Sequence, residues 1–171
     1  MDVFIEQIIK KKFGTKDYLI FAGIIIVGLL LIAASMLFIP SFSLIILIAV
    51  CFGAYYLISS RNLEFEYSIT NGDITIDKII NRRSRKRVIS MDAHNVEKMG
   101  KYNPAEHQQK TYAARLIASV TDDGQDAWYF VGNDSKKGGN VLVVFSPNEK
   151  VLGAIKPFLQ RQVAIDAFGR N

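Results

Sequence analysis

Residues able to carry catalysis or bind a metal are few and scattered in this chain of 171 residues. The two histidines, His94 and His107, fall in separate turn segments, and Cys51 is the only cysteine. No spacing typical of a zinc site or of a glycine-rich phosphate loop occurs. The aspartates of segment 122–126 offer oxygen ligands to a hard cation, but aspartate-rich segments are commonly turns. We therefore predict no catalytic residue, no metal, no cofactor and no enzymatic activity.

The strongest cluster of charge is the basic segment 82–87, with the sequence Arg-Arg-Ser-Arg-Lys-Arg. Such clusters bind phosphate groups, either of nucleic acid or of anionic lipid. Proteins that bind single-stranded nucleic acid also stack its bases on aromatic side chains, and no aromatic residue interrupts this segment. We therefore predict no nucleic-acid partner, and anionic phospholipid headgroups remain as the candidate ligand.

A long uncharged segment precedes the basic cluster. From Tyr18 to Ser60 there are 43 consecutive residues without Asp, Glu, Lys or Arg, and the 21 basic and 16 acidic residues all flank it. One helix of that length would measure about 64 Å, whereas about 20 residues cross a hydrocarbon core of about 30 Å. Pro40 is the only proline of the segment and disfavours helix before it. We predict two membrane spans, residues 18–39 and 42–60.

The charges beside the spans predict their orientation. Lysines at 10–12 and 16 precede the first span and Arg61 follows the second, whereas the loop between them is uncharged. The positive-inside rule then places both termini in the cytoplasm, which gives a multi-pass protein of the inner (cytoplasmic) membrane. A signal peptide is the competing interpretation, but the apolar segment is longer than its usual h-region. The spans hold no charge that would mark a transport path.

Residues 1–17 form a predicted cytoplasmic leader. Phe4, Ile5, Ile8 and Ile9 recur at helical spacing, and three lysines follow them. This pattern predicts a short amphipathic helix on the inner membrane surface. An unstructured leader is the alternative.

After Arg61 the hydrophobic period becomes two, because apolar residues at 63, 65, 67 and 69 alternate with polar ones. This indicates a half-buried strand. Asn71-Gly72 then predicts a tight hairpin, since both central residues of a type I′ turn need positive φ. Further strands are predicted at 74–80, 87–90, 95–99, 111–120, 127–131 and 141–145. Seven short strands favour a small barrel or sandwich.

The period changes again after residue 145. Ser146, Pro147 and Glu149 fit a capping box with proline at the first helical position. Apolar residues at 151, 152, 155, 158 and 159 follow at helical spacing, typical of an amphipathic helix. We predict one long helix that closes the domain, with a kink or an end at Pro157.

Seven strands followed by one amphipathic helix resemble the pleckstrin-homology-like (PH-like) fold. Segment 65–76 resembles the opening hairpin of bacterial PH-like domains, and the two spans before it resemble uncharacterised bacterial membrane proteins of that kind. The resemblance covers about residues 16–165. It implies a mainly-β barrel of about seven antiparallel strands closed by a C-terminal helix, a binding or scaffolding role and a bacterial membrane, but no particular ligand. The inositol-phosphate pocket of PH domains is not carried over, because the first turn here is tight and acidic.

An antiparallel meander places alternate turns at alternate ends of the domain. Three turns predicted near the membrane are basic: 81–87, 101–110 and 132–139. Three far turns carry only acidic charges: 71–73, 91–94 and 121–125. We predict that the basic end rests on the anionic inner leaflet, although basic turns also suit cytoplasmic solubility. The predicted contact residues are Arg82, Arg83, Arg85, Lys86, Arg87, Lys101, Lys110, Lys136 and Lys137.

These features divide the chain into a leader (1–17), a two-helix transmembrane hairpin (18–60) and a cytoplasmic PH-like domain (61–171). The predicted function is a membrane-anchored interaction or scaffolding module for an unidentified protein partner. A sensor or binder of anionic inner-leaflet lipid is the alternative. Retained function after neutralisation of the basic turns would favour the first over the second.

Overall fold

The computed structural model describes residues 3–169. The chain divides into two compact units. The helical unit runs from Phe13 to Leu63, and the β unit combines the residues up to Lys12 with those from Glu64 onward.

The helical unit contains two helices, α1 (Thr15–Phe38) and α2 (Ser43–Ser59), joined by a 3₁₀ turn at Pro40–Phe42. Both helices are long and apolar enough to cross a membrane, the second counted from Pro40 to Ser59. The predicted break at Pro40 is confirmed. Helix α1 begins three residues earlier than the predicted span, because the Asp17 carboxylate accepts a hydrogen bond of 3.0 Å from the Gly14 N–H and caps the helix.

The β unit contains eight strands in two sheets. Sheet A has the order β1-β2-β3-β4 and sheet B the order β5-β7-β8-β6. The strands are β1 (Phe4–Lys10), β2 (Leu63–Thr70), β3 (Asp73–Ile80), β4 (Ser84–Asp92), β5 (Val96–Lys101), β6 (Ala114–Ala118), β7 (Trp128–Asp134) and β8 (Gly139–Phe145). A short helix, α3 (Pro104–His107), lies between β5 and β6.

The prediction of one antiparallel barrel of about seven strands is wrong, because the strands form two separate sheets. Strand β6 pairs with β8 in parallel, from Ala114 opposite Val141 to Ala118 opposite Phe145. The other pairs with a defined register are antiparallel. Alternating apolar residues indicate a strand but carry no information on its partner or direction, so the sequence pattern did not reveal this pairing.

The leader corrects a second prediction, because residues 4–10 form strand β1 rather than an amphipathic helix. Each residue of β1 lies opposite one of β2, from Phe4 opposite Thr70 to Lys10 opposite Glu64. Ile5 and Ile9 pack against the core while Phe4 and Ile8 are exposed, which is the period of a strand. Without β1, the edge of β2 would present unpaired backbone groups. Residues 4–10 of the leader are therefore part of the β unit, whereas residues 13–17 belong to the helical unit.

The C-terminal region has two short helices, α4 (Glu149–Ile155) and α5 (Arg161–Phe168), where one long helix was predicted. Pro157 lies in the 3₁₀ turn between them, as its effect on helices predicted. The N-cap of α4 is Asn148 rather than Ser146, because the Asn148 side chain accepts from the Val151 N–H at 2.9 Å. The Ser146 hydroxyl instead accepts from the Val120 N–H at 3.2 Å.

Tyr67 of β2 lies at the centre of the core and is fully buried. Its hydroxyl donates to the Ala118 carbonyl and accepts from the Ser146 N–H, which connects sheet A to sheet B. Burial raises the pKa of Tyr67 far above its ordinary value, so the hydroxyl stays protonated. Its ring contacts Phe145 edge-on at 5.7 Å between centroids.

Candidate functional site

The basic segment lies on the β3–β4 hairpin. Its turn is shorter than predicted, since β4 begins at Ser84 and the Arg83 N–H donates to the Ile80 carbonyl at 3.0 Å. Arg82 and Arg83 are therefore turn residues, whereas Arg85, Lys86 and Arg87 belong to the strand. All five side chains are on exposed residues.

The turn of the β3–β4 hairpin lies at the end of sheet A from which the chain continues to the helices. We call this the connected end; it carries Lys10, Glu64 and the turn after Ile80. The opposite end carries the Asn71-Gly72 turn and the Asp73–Asp92 pair. Asn71 and Gly72 have φ of 50° and 96°, so the predicted tight hairpin is confirmed.

Three buried carboxylates lie beneath the basic side chains: Glu64 and Glu66 on β2, and Asp77 on β3. Their side chains are only 10%, 5% and 6% exposed. Each accepts from one arginine of the hairpin at 2.5–3.0 Å: Arg82 pairs with Glu64, Arg85 with Glu66, and Arg87 with Asp77. We call this set of three pairs the arginine–carboxylate ladder. Of the nine residues predicted to contact lipid, five lie on the hairpin, and the ladder offsets the charges of three of these five.

Several charged groups act on Glu66. Burial raises its pKa, the Arg85 guanidinium opposes that effect, and the nearby Glu6 and Asp77 carboxylates raise the pKa further. The Arg87 pKa is raised in turn, because its hydrogen bond to Asp77 favours the charged guanidinium. The ladder thus holds its arginines close to buried carboxylates.

Arg83 and Lys86 differ from the other three basic residues of the hairpin. Within residues 3–169, neither forms an ion pair within 4.0 Å. Lys86 lies opposite Lys78 across the β3–β4 register. Among the described residues, Arg83 and Lys86 are thus the members of segment 82–87 whose charge no carboxylate within 4.0 Å offsets.

The other predicted contact residues do not gather at the connected end. Lys136 and Lys137 form the turn between β7 and β8, and Lys110 precedes β6, whose first residues lie at the same end of sheet B. Lys101 is at the other end of sheet B, opposite Trp128, with its ammonium 5.3 Å from the centroid of that ring. The prediction of one continuous basic end is therefore wrong.

The meander prediction also placed the acidic turn 121–125 at the wrong end of the domain. The Lys12 N–H donates to the Val120 carbonyl at 2.7 Å, and the Lys11 ammonium lies 2.6 Å from the Asp122 carboxylate. This turn thus lies beside the residues that follow β1. The parallel pairing of β6 with β8 breaks the strict alternation of turns on which that prediction depended.

The two histidines lie in different surroundings. The ring of His94 contacts the Asp92 carboxylate at 2.9 Å in an exposed turn. His107 is 1% exposed and its Nδ1 lies 2.7 Å from the Tyr112 hydroxyl. Within residues 3–169, no group of three or more His, Cys, Asp or Glu side chains is placed to hold a metal ion.

The sequence analysis missed the three carboxylates of the ladder. Their alternation with core residues predicted an outward position, and outward acidic residues are usually solvated. The predicted hairpin could have indicated these ion pairs, because adjacent antiparallel strands bring residues on one face into cross-strand pairs. Asp77 of β3 lies between the acidic residues of β2 and the basic residues of β4.

A family model described as bacterial PH-like domain (DUF6106) matches residues 1–165. No curated protein and no solved structure matches the chain. The matched range includes β1, both helices and the β unit as far as α5.

Proposed function

The chain belongs to the family of bacterial PH-like domains, and from that membership we propose that it is a non-catalytic binding module anchored in the inner membrane by α1 and α2. In this proposal the β unit holds a protein partner at the cytoplasmic face. The helices serve as the anchor.

One observation carries the proposal: both connections between the β unit and the helices leave the connected end of sheet A. Lys10 ends β1 directly opposite Glu64 near the start of β2. Only residues 11–14 separate β1 from α1, and only residues 60–62 separate α2 from β2. Attachment at two adjacent points fits a recognition unit that acts beside the membrane.

The composition of the helices supports an anchor rather than a transport path. No residue from Tyr18 to Ser60 is charged, whereas transport and proton-relay paths usually need ionisable groups within the membrane. The groove between the helices, about 660 Å³, is lined by apolar residues such as Ile24, Val27 and Val50. Nothing in that lining favours the binding of an ion.

Site-directed labelling tests the anchor and its orientation. Cys51 is the only cysteine, so Cys51→Ala gives a background for Ser41→Cys in the interhelical turn or Ser84→Cys in β4. In spheroplasts treated with a membrane-impermeant maleimide, we expect residue 41 to react at once and residue 84 only after permeabilisation. The opposite pattern would overturn the cytoplasmic placement.

Photo-crosslinking of the full chain in cells tests the binding role. A photoreactive residue replaces exposed Phe4 or Ile117 of the β unit or, as the matched control, exposed Leu44 of α2. We expect a discrete protein adduct from β-unit positions that is absent from the Leu44 position. A discrete adduct from the Leu44 position alone would place recognition in the helices instead.

A second candidate function is the binding of anionic inner-leaflet lipid. Arg83 and Lys86 favour it, because they lie on the hairpin at the connected end of sheet A and lack an ion-pair partner within residues 3–169. Each basic residue near an anionic surface contributes about 1 kcal/mol. The test is a fluorophore on Ser84→Cys, with the chain in nanodiscs of neutral or one-third anionic lipid.

A further inference from the structure

We propose that the carboxylates of the ladder act as internal competitors of anionic phospholipid. Glu64, Glu66 and Asp77 hold Arg82, Arg85 and Arg87, so that lipid contact falls on Arg83 and Lys86, and neutralisation of the carboxylates strengthens that contact. This inference rests on the second candidate function above and names how that surface is regulated.

The geometry gives the carboxylates a fixed position. Their side chains are 5–10% exposed and belong to β2 and β3, in the middle of sheet A. Sheet pairing on both sides holds the backbone of these strands, so the carboxylates stay on the face of the sheet that the hairpin arginines contact. Their negative charge therefore stays beneath it whether or not a membrane is close.

The arginines, by contrast, remain available at the surface. Their side chains are 80%, 57% and 61% exposed for Arg82, Arg85 and Arg87. A guanidinium has five N–H donors, and these pairs occupy one or two of them. A phosphate approaching from solvent can therefore reach the same guanidinium groups for which the carboxylates compete.

Charge decides how strongly an anionic surface attracts the hairpin. A carboxylate 2.5–3.0 Å from a guanidinium cancels most of its field at distances beyond the Debye length of about 8 Å. At long range the basic segment 82–87 thus presents mainly the charges of Arg83 and Lys86. Replacing Glu66 and Asp77 by their amides restores two positive charges without removing a basic residue or changing side-chain volume.

The test uses the full chain with Cys51→Ala and Ser84→Cys, labelled at residue 84 with an NBD fluorophore. It is placed in nanodiscs of phosphatidylcholine alone, or with one-third phosphatidylglycerol, containing a headgroup spin-labelled lipid. Quenching of NBD measures the population of hairpin in contact with the surface. Three forms are compared: the parent, Glu66→Gln/Asp77→Asn, and the matched control Asp73→Asn/Glu149→Gln, which removes two exposed carboxylates away from the ladder.

We expect anionic lipid to quench the NBD fluorescence of the parent. In the ladder variant, the population of hairpin in contact with the surface should rise about fivefold for each released arginine. The matched control should equal the parent, and 0.5 M salt should reverse the quenching. Arg83→Gln/Lys86→Gln should abolish the response of the parent. Circular dichroism confirms folding, and Glu64→Gln alone provides a milder variant if the double change unfolds the chain.

The possible failures are distinct. If the parent responds to anionic lipid and the folded ladder variants respond no more strongly, competition by the carboxylates is overturned while lipid binding stands. If neither the parent nor the ladder variants respond, the lipid function itself is overturned, and this inference with it. If inorganic phosphate moves the signal equally in neutral nanodiscs, the surface binds free anions rather than lipid, which also overturns the proposal.

Discussion

Arg61 donates two hydrogen bonds to one oxygen of the Asp17 carboxylate, from Nε at 2.9 Å and from Nη2 at 2.5 Å. The pair links the residue that follows α2 to the first turn of α1. The Asp17 side chain is 4% exposed and that of Arg61 is 38% exposed. Two residues that flank the uncharged apolar segment thus join the two helices.

Loss of this pair should destabilise the helical unit. Asp17→Asn removes the charge that offsets Arg61, and we expect a cost of about 1–3 kcal/mol, because a partly buried charge loses its partner. The measurement is unfolding of the full chain by SDS in mixed micelles, followed by helical circular dichroism. Lys16→Gln is the matched control, and an equal effect of both changes would contradict a specific role for the pair.

Because residues 4–10 form a strand, substitutions of the neighbouring Ile8 and Ile9 should have unequal effects on the stability of the β unit. Ile9→Asn places an amide against the core and should cost about 1–3 kcal/mol, whereas Ile8→Asn affects a residue that is 57% exposed and should be nearly neutral. Urea unfolding in detergent, followed by the fluorescence of the single Trp128, reports on the β unit. Equal effects would indicate the surface helix that the sequence pattern first suggested.

The two glycines Gly72 and Gly153 should respond to alanine in opposite directions. Gly72 has a φ of +96°, and an added Cβ would lie 2.9 Å from the Phe158 ring, so Gly72→Ala should destabilise the β unit by about 1–3 kcal/mol. Gly153 lies inside α4 with nothing within 4 Å of an added Cβ. Gly153→Ala should stabilise by about 0.5–1 kcal/mol. The same fluorescence titration compares them, and stabilisation by both would rule out the left-handed turn.

Because of His107, we expect the folded β unit to lose stability in mild acid. Burial lowers its pKa below 6.5, and the nearby cations Lys110, Arg115 and Lys98 lower it further, against the opposing effect of Glu106. The folded state therefore binds the proton less readily than the unfolded state. The stabilisation is complete above pH 6.5 and is lost as the pH falls below it.

The measurement is the urea midpoint of Trp128 fluorescence between pH 7.5 and 5.5. We expect the midpoint to fall for the parent and for His94→Gln, in which only the exposed histidine is replaced. His107→Gln should show a flatter profile, since its side chain does not titrate. An unchanged pH dependence in His107→Gln would mean that another group is responsible.

The sequence alone determined the features that depend on local chemistry. An uncharged segment too long for one helix, with one proline near its middle, required a break at Pro40. Asn71-Gly72 required a tight turn, because few other residue pairs adopt positive φ at both positions. The alternating pattern located seven of the eight strands, since burial on one face imposes a period of two at each strand separately.

Only the tertiary structure decided which strands pair and which charges meet. Strand β1 forms because β2 offers it an edge, although its isoleucine spacing also fits a helix. The parallel partnership of β6 and β8 moved the turns to ends that an antiparallel meander does not predict. The ladder depends on the register of three strands, so that Arg87 meets Asp77 only after β3 and β4 have paired. Segment 82–87 contains five basic residues, and strand pairing leaves Arg83 and Lys86 without a carboxylate within 4.0 Å among the residues described.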